Sequence, residues 1–327
     1  MPISNSFQPI NSNECPQALE TRQTAHDLKE DAMGLRTNPT QRQRRLGIEL
    51  RRLRTSSGLP VGHAAAFADL GPAHLGHIEA ARTAIPEVKL RALTDAYGCR
   101  SEPLIDALVA MSHATGKGWW TAYRDIQGPH TLDLAELEAT AVACRSFQWL
   151  YMPGLLQSPE YIRALFESAE PHTDPALIEK YVQFRLDRQR ALTDGSLRFH
   201  AVIHEAALRM HFVPAEIMRR QVHHLVGMAQ LPHVQVQILP FKASINPPTY
   251  STPFVLFEGP VQELNTAYME QPVASPFISD PEHLTQFAHS FESLSSSALP
   301  PIDARVEPEF HTRRDSLGLI QHLMYTM

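Results

Sequence analysis

The sequence predicts an α+β protein in two parts: an all-helical module, then a helix-rich module with a small sheet. Three observations predict it. Between residues 38 and 113, helix starts and glycine stops alternate with no strand-patterned run among them. After Gly118, short β-branched runs alternate with helical stretches. The charge also changes sign along the chain. Residues 36–100 carry eleven Lys or Arg against five Asp or Glu, a balance of +6, within a chain of net charge −6. Residues 1–35 hold two basic against five acidic residues, −3, which leaves −9 for the rest. A basic module beside an acidic one suggests a polyanion as partner of the first.

The elements follow in order. Residues 1–37 are polar and irregular and read as a flexible arm. Asn38-Pro39-Thr40-Gln41 opens a helix through RQRRLGIELRRLRTSS, with Leu46, Leu50 and Leu53 on one face and Gly58 as its stop. Pro60 precedes a helix over 64–69, Gly71-Pro72 opens one through Glu79, and Pro86 opens one ending at Tyr97-Gly98. A fifth covers 103–113, which bounds the first domain at 38–114; Thr115–Gly118 is a linker. In the second domain, 117–299, Asp133 and Glu136 form a capping box for a helix to about Gln148, and Ser158-Pro159 and Asp174-Pro175 start two more. Strands are predicted at 197–203 and 234–239, with helix 214–230 between them. A strand pair is predicted at 254–258 and 265–270, and a long helix from Asp280-Pro281. A Ser/Pro-rich link and a last helix near 313–325 make up 300–327.

Five short helices with tight turns suit a helix-turn-helix unit. Gly58-Leu59, Ala65, Leu75, Ile78-Glu79, Arg82 and Leu93-Tyr97-Gly98 resemble the framework of an XRE-type, lambda-repressor-like domain. The resemblance implies a pair between Arg54, late in the first helix, and Glu79, ending the third; a surface phosphate contact is the alternative for Arg54. It also implies base-reading positions at Pro72, Ala73 and His77, and a phosphate-facing position at Val61. These depart from the family, which favours long polar donors there, so direct readout is thin. The candidate DNA contacts are Arg44, Arg45, Arg51 and Arg52 on the first helix, and His74, His77 and Arg82 on or after the third.

GWWTAYRD, LAELEATAVACRSFQWLYMPGLLQSPEYIRALF, FRLDRQRAL, HAVIHEAALRM and HVQVQILPF are similar to the domain that follows the XRE module in the WhiJ-type, antitoxin-like family of actinobacterial regulators. The resemblance implies a small cognate protein, encoded nearby, as partner. Arg145, Gln157, Tyr161, Arg185, Arg188 and Gln189 are the candidate partner- or ligand-binding residues. Arginines in an acidic domain can hold a carboxylate, a partner's C-terminus included. The alternative is an internal network in which Glu138 packs helices together through an arginine. Glu138 and Arg145, seven apart, share one face if the helix runs to Gln148.

Other chemistry is missing from the sequence. His200 and His204 share a strand face without a third ligand, and HExxH, G-x-S-x-G, Walker and G-x-G-x-x-G patterns are absent. No catalytic residue, metal or cofactor is predicted, and an enzyme ranks third. Cys15, Cys99 and Cys144 show no paired spacing, which suits a reducing cytoplasm. No apolar run reaches membrane-spanning length, and the N-terminus lacks a signal-peptide pattern. The expectation is a cytoplasmic, homodimeric regulator of double-stranded DNA whose second domain senses a partner or ligand. An interaction protein that masks a small cognate partner, with a decayed DNA reader, is the runner-up.

Overall fold

Thr40, two residues later than the sequence reading places the cap, starts the first helix of the computed structural model, which describes residues 35–244, 252–271, 275–303, 305 and 315–326. The Thr40 hydroxyl accepts from Gln43 N at 3.4 Å, and Thr40 N donates to the Gln43 side chain at 3.1 Å. This reciprocal cap satisfies two otherwise orphaned donors of helix α1 (Gln41–Ser56). Four helices follow: α2 (Val61–Phe67), α3 (Pro72–Glu79), α4 (Glu87–Ala96) and α5 (Glu102–Ser112). Helix α2 starts at Val61, ahead of the predicted Ala64, because Pro60 itself sits in the cap position. Leu46, Leu50, Ala65, Leu75, Ile78, Leu90, Leu93 and Leu108 close around one core. Gly47 lets α1 cross α3 closely: a Cβ there would overlap the Glu79 carbonyl. The turn between α2 and α3 passes through Asp69 at φ +51°, a left-handed position that Asp tolerates better than most residues.

A short 3-10 turn, Trp119–Tyr123, leads to α6 (Pro129–Thr140). Trp120 is buried with Ala135 and Phe184, which ties this turn to the second domain. Here the sequence reading needs correction. The helix does not start at Asp133 or run to Gln148. It starts at Pro129, after Gly128 in the cap position, ends before Ala141, and residues Ala143–Gln148 form strand β1. The reason is tertiary: β1 lies between β2 (Arg198–His204) and β4 (Phe254–Glu258), hydrogen-bonded on both edges, and pairing of that kind overrides local preference.

The remaining helices are α7 (Pro159–Ala169), α8 (Pro175–Arg188), the short α9 (Arg190–Thr193) and α10 (Glu205–Arg209), α11 (Ala215–Met228) and α12 (Pro281–Ser297), with α13 (Ser316–Thr326) last. Ser158, Asp174 and Asp280 cap α7, α8 and α12 with their side chains. With β3 (Val234–Leu239), β5 (Thr266–Tyr268) and β6 (Phe277–Ile278), the sheet has order β3-β2-β1-β4-β5-β6. Strands β1, β2 and β3 are parallel, and β4 to β6 join antiparallel. The β1–β2 register sets the two faces. Cys144, Phe199 and Ala201 look into the larger core; Phe147 and Val202 look toward Phe291 and Leu294 of α12. Leu317, Ile320 and Leu323 of α13 belong to the larger core, so the last helix is part of the second domain and not an appendage. The predicted arm is outside the described residues up to position 34.

Candidate functional site

Helix α3 is docked by two fully covered residues, Leu75 and Ile78, and by an ion pair. Arg54 of α1 donates Nε to Glu79 Oε1 at 2.6 Å and Nη2 to Oε2 at 3.0 Å, with Nη1 on the Leu59 carbonyl at 3.1 Å. Both side chains are largely withdrawn from solvent, at 10% and 7% exposure. That fork fixes the angle between α1 and α3. Pro72, Ala73 and His74 are left facing solvent, His77 is half-buried and Arg82 is exposed just past the helix. The outward surface of α3 therefore offers one proline, one alanine and two imidazoles, with Arg82 at its end.

The four arginines of α1 assigned to DNA divide. Arg51 is exposed and has no carboxylate partner among the described residues. Arg52 donates Nε to both oxygens of Glu49, at 2.9 and 3.1 Å, and stays half-exposed. Arg45 cannot meet DNA. It is 4% exposed, pairs with Glu49 at 3.2 Å and donates to the Glu263 carbonyl of the second domain. Arg44 is also turned to the second domain, donating to Asp133 at 2.5 Å. Asp133 further accepts from Gln41 N at 3.0 Å. The physical reason is that the N-terminal half of α1 forms the contact between domains, where Val261 and Leu264 join the first domain's core. Nearby, Glu136 of α6 is buried beside Arg42, and burial pushes its carboxyl above the ordinary value.

Helix α6 reaches in two directions. Its Asp133 and Glu136 meet α1, whereas Glu138 accepts both forks of Arg188 of α8, each at 2.7 Å. Glu138 and Arg188 line a cavity of about 690 Å³ bounded by α6, β1, the turn at 152–157, α7 and α8. Three candidate residues meet on it: Gln157, Arg185 and Arg188. Arg185 Nη1 donates to Gln157 Oε1 at 2.7 Å, and its guanidinium lies 4.6 Å from the centre of the Phe166 ring. Gln157 Nε2 donates in turn to the Met152 carbonyl at 2.8 Å. Burial, with Arg188 alongside, lowers the Arg185 pKa to about 10.

The other candidates stand apart. Tyr161 is fully buried and its hydroxyl accepts from Met152 N at 3.5 Å, so it packs under the turn. Gln189 donates to the Gln157 carbonyl at 2.8 Å and the Gly154 carbonyl at 3.3 Å, holding the turn from beneath. Arg145 is a correction. It sits on β1, one pleat away from the cavity-facing Cys144 and Ser146, and pairs with Glu258 at 2.6 Å on the opposite face of the sheet. It shares no helix with Glu138, whose partner is Arg188. Sequence reasoning missed Gln221, which accepts from Ser158 N at 2.6 Å and donates to the Leu156 carbonyl at 2.7 Å. It also missed Phe166 beneath Arg185. Only their spacing on α11 and α7 relative to the PGLLQ turn could have pointed to them.

Among the described residues, no three His, Cys, Asp or Glu side chains are placed to hold a metal ion. His200 bonds Gln237 at 2.7 Å, and His204 caps α10. No helix among these residues is long and apolar enough to cross a membrane. Residues 45–108 match a family model described as a helix-turn-helix domain. No curated protein and no solved structure matches the chain. Residues 131–306, more than half of the chain, match the model of a domain of unknown function, DUF5753. With the whole sheet and most of α6 and of the cavity's lining inside that match, the chain belongs to the DUF5753 family and carries a helix-turn-helix domain ahead of it.

Proposed function

We propose that the chain is a transcriptional regulator that binds double-stranded DNA through α2 and α3 and changes its occupancy when the second domain takes a ligand or a small cognate protein. The observation that carries this reading is the docking of α3. Leu75, Ile78 and the Arg54–Glu79 fork hold it rigidly while Pro72, Ala73 and His74 face outward. A helix held so is presented to a groove. Arg51 and Arg82, exposed and without carboxylate partners among the described residues, supply phosphate contacts. The likeness to XRE-type and WhiJ-type regulators supports a homodimer on an inverted repeat in the cytoplasm, a small antitoxin-like partner, and a regulatory rather than catalytic role.

Coupling between the parts has its support in α6, which touches α1 through Asp133 and the cavity through Glu138. A ligand that moves Arg188 and Glu138 acts on the helix that holds α1.

The test is fluorescence anisotropy with duplexes from the protein's own upstream region across a salt series. Binding should weaken linearly on a log–log plot, and Arg51→Ala should reduce the slope by about 1. No binding at low salt would remove the DNA reading. It would favour a protein that masks a small cognate partner. One observation leans that way: Arg44 and Arg45 serve the domain contact, which leaves few cations for DNA.

A further inference from the structure

We propose that the cavity between α6, α7, α8 and β1 binds a small organic monocarboxylate with an aromatic or aliphatic body, anchored on Arg185. This rests on the reading of the second domain as a receiving domain, and it names what is received.

The two arginines in the wall differ in one respect. Arg188 is held by both oxygens of Glu138, so its charge is cancelled in place. Arg185 makes one hydrogen bond, to the neutral Gln157, and no carboxylate among the described residues lies within ion-pairing distance of it. A guanidinium carries five N–H donors in a planar fork. Four of those on Arg185 have no acceptor among the described residues. Burying a charge without a counter-charge is unfavourable, and the depressed pKa of Arg185 reports that desolvation. The Phe166 ring recovers part of it through its π-face, both side chains line the cavity, and the edge of the fork keeps its free donors. A planar carboxylate fits that edge with two parallel hydrogen bonds.

The surroundings select the rest of the ligand. Tyr181, Phe184 and Met152 line the space, and Tyr151 stacks on Phe212 with ring centres 4.8 Å apart. The volume, about 690 Å³, is within the range of small-molecule sites, roughly 300–1,000 Å³. Ser146 and Gln148 of β1 and Tyr268 of β5 bring polar groups to the cavity from the sheet. Two exposed glutamates, Glu170 and Glu270, also line it. Glu270 helps to hold the charge on Arg185 from a distance, and both repel a second negative charge. One unmatched cation facing two glutamates favours a monoanion over a phosphate ester.

A peptide's free C-terminus offers the same chemistry, so the test separates the two sources. Full-length protein, without DNA, is titrated calorimetrically with 4-phenylbutyrate, octanoate, 4-phenylbutyramide, phenyl phosphate, and a tripeptide ending in phenylalanine as free acid and as amide. Either acid should bind, with the amide and the phosphate weaker by at least about tenfold. Arg185→Gln should lose about the same factor while melting no lower than wild type, because it removes an unmatched charge. Arg185→Lys should retain part of the affinity. Equal binding of acid and amide, unchanged affinity in a folded Arg185→Gln variant, or no binding of either acid would each overturn the proposal. Tighter binding of the peptide acid than of both small acids would reassign the site to a polypeptide end and overturn it too. Because no DNA is present, a protein that binds acids but no DNA keeps this inference and loses the regulatory one.

Discussion

Helices α1 and α8 each carry two arginines one turn apart, Arg51 and Arg54 on the first, Arg185 and Arg188 on the second. In each pair the second arginine is gripped by both oxygens of a glutamate from another helix, Glu79 for Arg54 and Glu138 for Arg188. In each pair the first arginine has no carboxylate partner among the described residues. Arg51 points to solvent beside the helix-turn-helix, and Arg185 points into an aromatic cavity. The gripped arginine ties two helices together, and its neighbour keeps free donors. On the two proposals above, the environment then selects the anion: a phosphate at an open surface, a carboxylate with an apolar body in a cavity.

The comparison breaks if the gripped and ungripped members respond alike. The largest expected effect is on Glu138→Ala, which leaves Arg188 buried without a partner. It should destabilise the second domain by about 3–5 kcal/mol in urea unfolding. A loss under about 1 kcal/mol would mean that the pair is screened by water and is not structural. Next is Arg54→Ala, which leaves Glu79 unpaired and should cost about 3 kcal/mol in the first domain. Arg51→Ala should leave the melt unchanged while lowering the salt slope of DNA binding. If Arg51→Ala destabilises as much as Arg54→Ala, the division of roles is wrong.

A smaller effect sharpens the picture at the domain contact. Burial raises the pKa of Glu136, and one of its oxygens, Oε2, lacks a hydrogen-bond partner. A carboxyl whose folded value is raised holds its proton more tightly folded than unfolded. Its ionisation therefore costs stability above the raised value, and that cost disappears as pH falls toward the ordinary value of 4.5. Glu136→Gln should thus stabilise at neutral pH, on the order of 1 kcal/mol, with the advantage shrinking as pH falls toward 4.5. Melts of both proteins from pH 7 to pH 4.5 check it. An advantage that grows on acidification would show that Glu136 stabilises as an anion through Arg42.

What was legible in the sequence was local. The α+β class, the five helices and the caps at Ser158, Asp174 and Asp280 depend on residues within a turn of one another. Strand β1 was not legible, because Ala143–Gln148 becomes a strand only by lying between β2 and β4. That error carried Arg145 onto a helix with Glu138, when the two are on different elements and different sides of the sheet. Burial of Arg45 was hidden for a similar reason. An arginine-rich helix face looks solvated until the domain that covers it is known, and the acceptor at Glu263 lies 218 residues away. Gln157, Arg185 and Arg188 come together on one wall, but nothing in their spacing says that Arg188 is neutralised and Arg185 is not.

The central claim is that the two domains act as one device joined through α6. Asp133 is the place to test it, since it binds Arg44 and Gln41 N of α1 and lies on α6, outside the helix-turn-helix elements α2 and α3. The measurement is DNA affinity of Asp133→Ala against wild type, by anisotropy at fixed salt, on a variant whose melt shows both domains folded. Coupling through α6 predicts a change in affinity of roughly fivefold or more, although no group that touches DNA has been altered. An affinity equal to wild type would show that the helix-turn-helix works independently of the domain behind it.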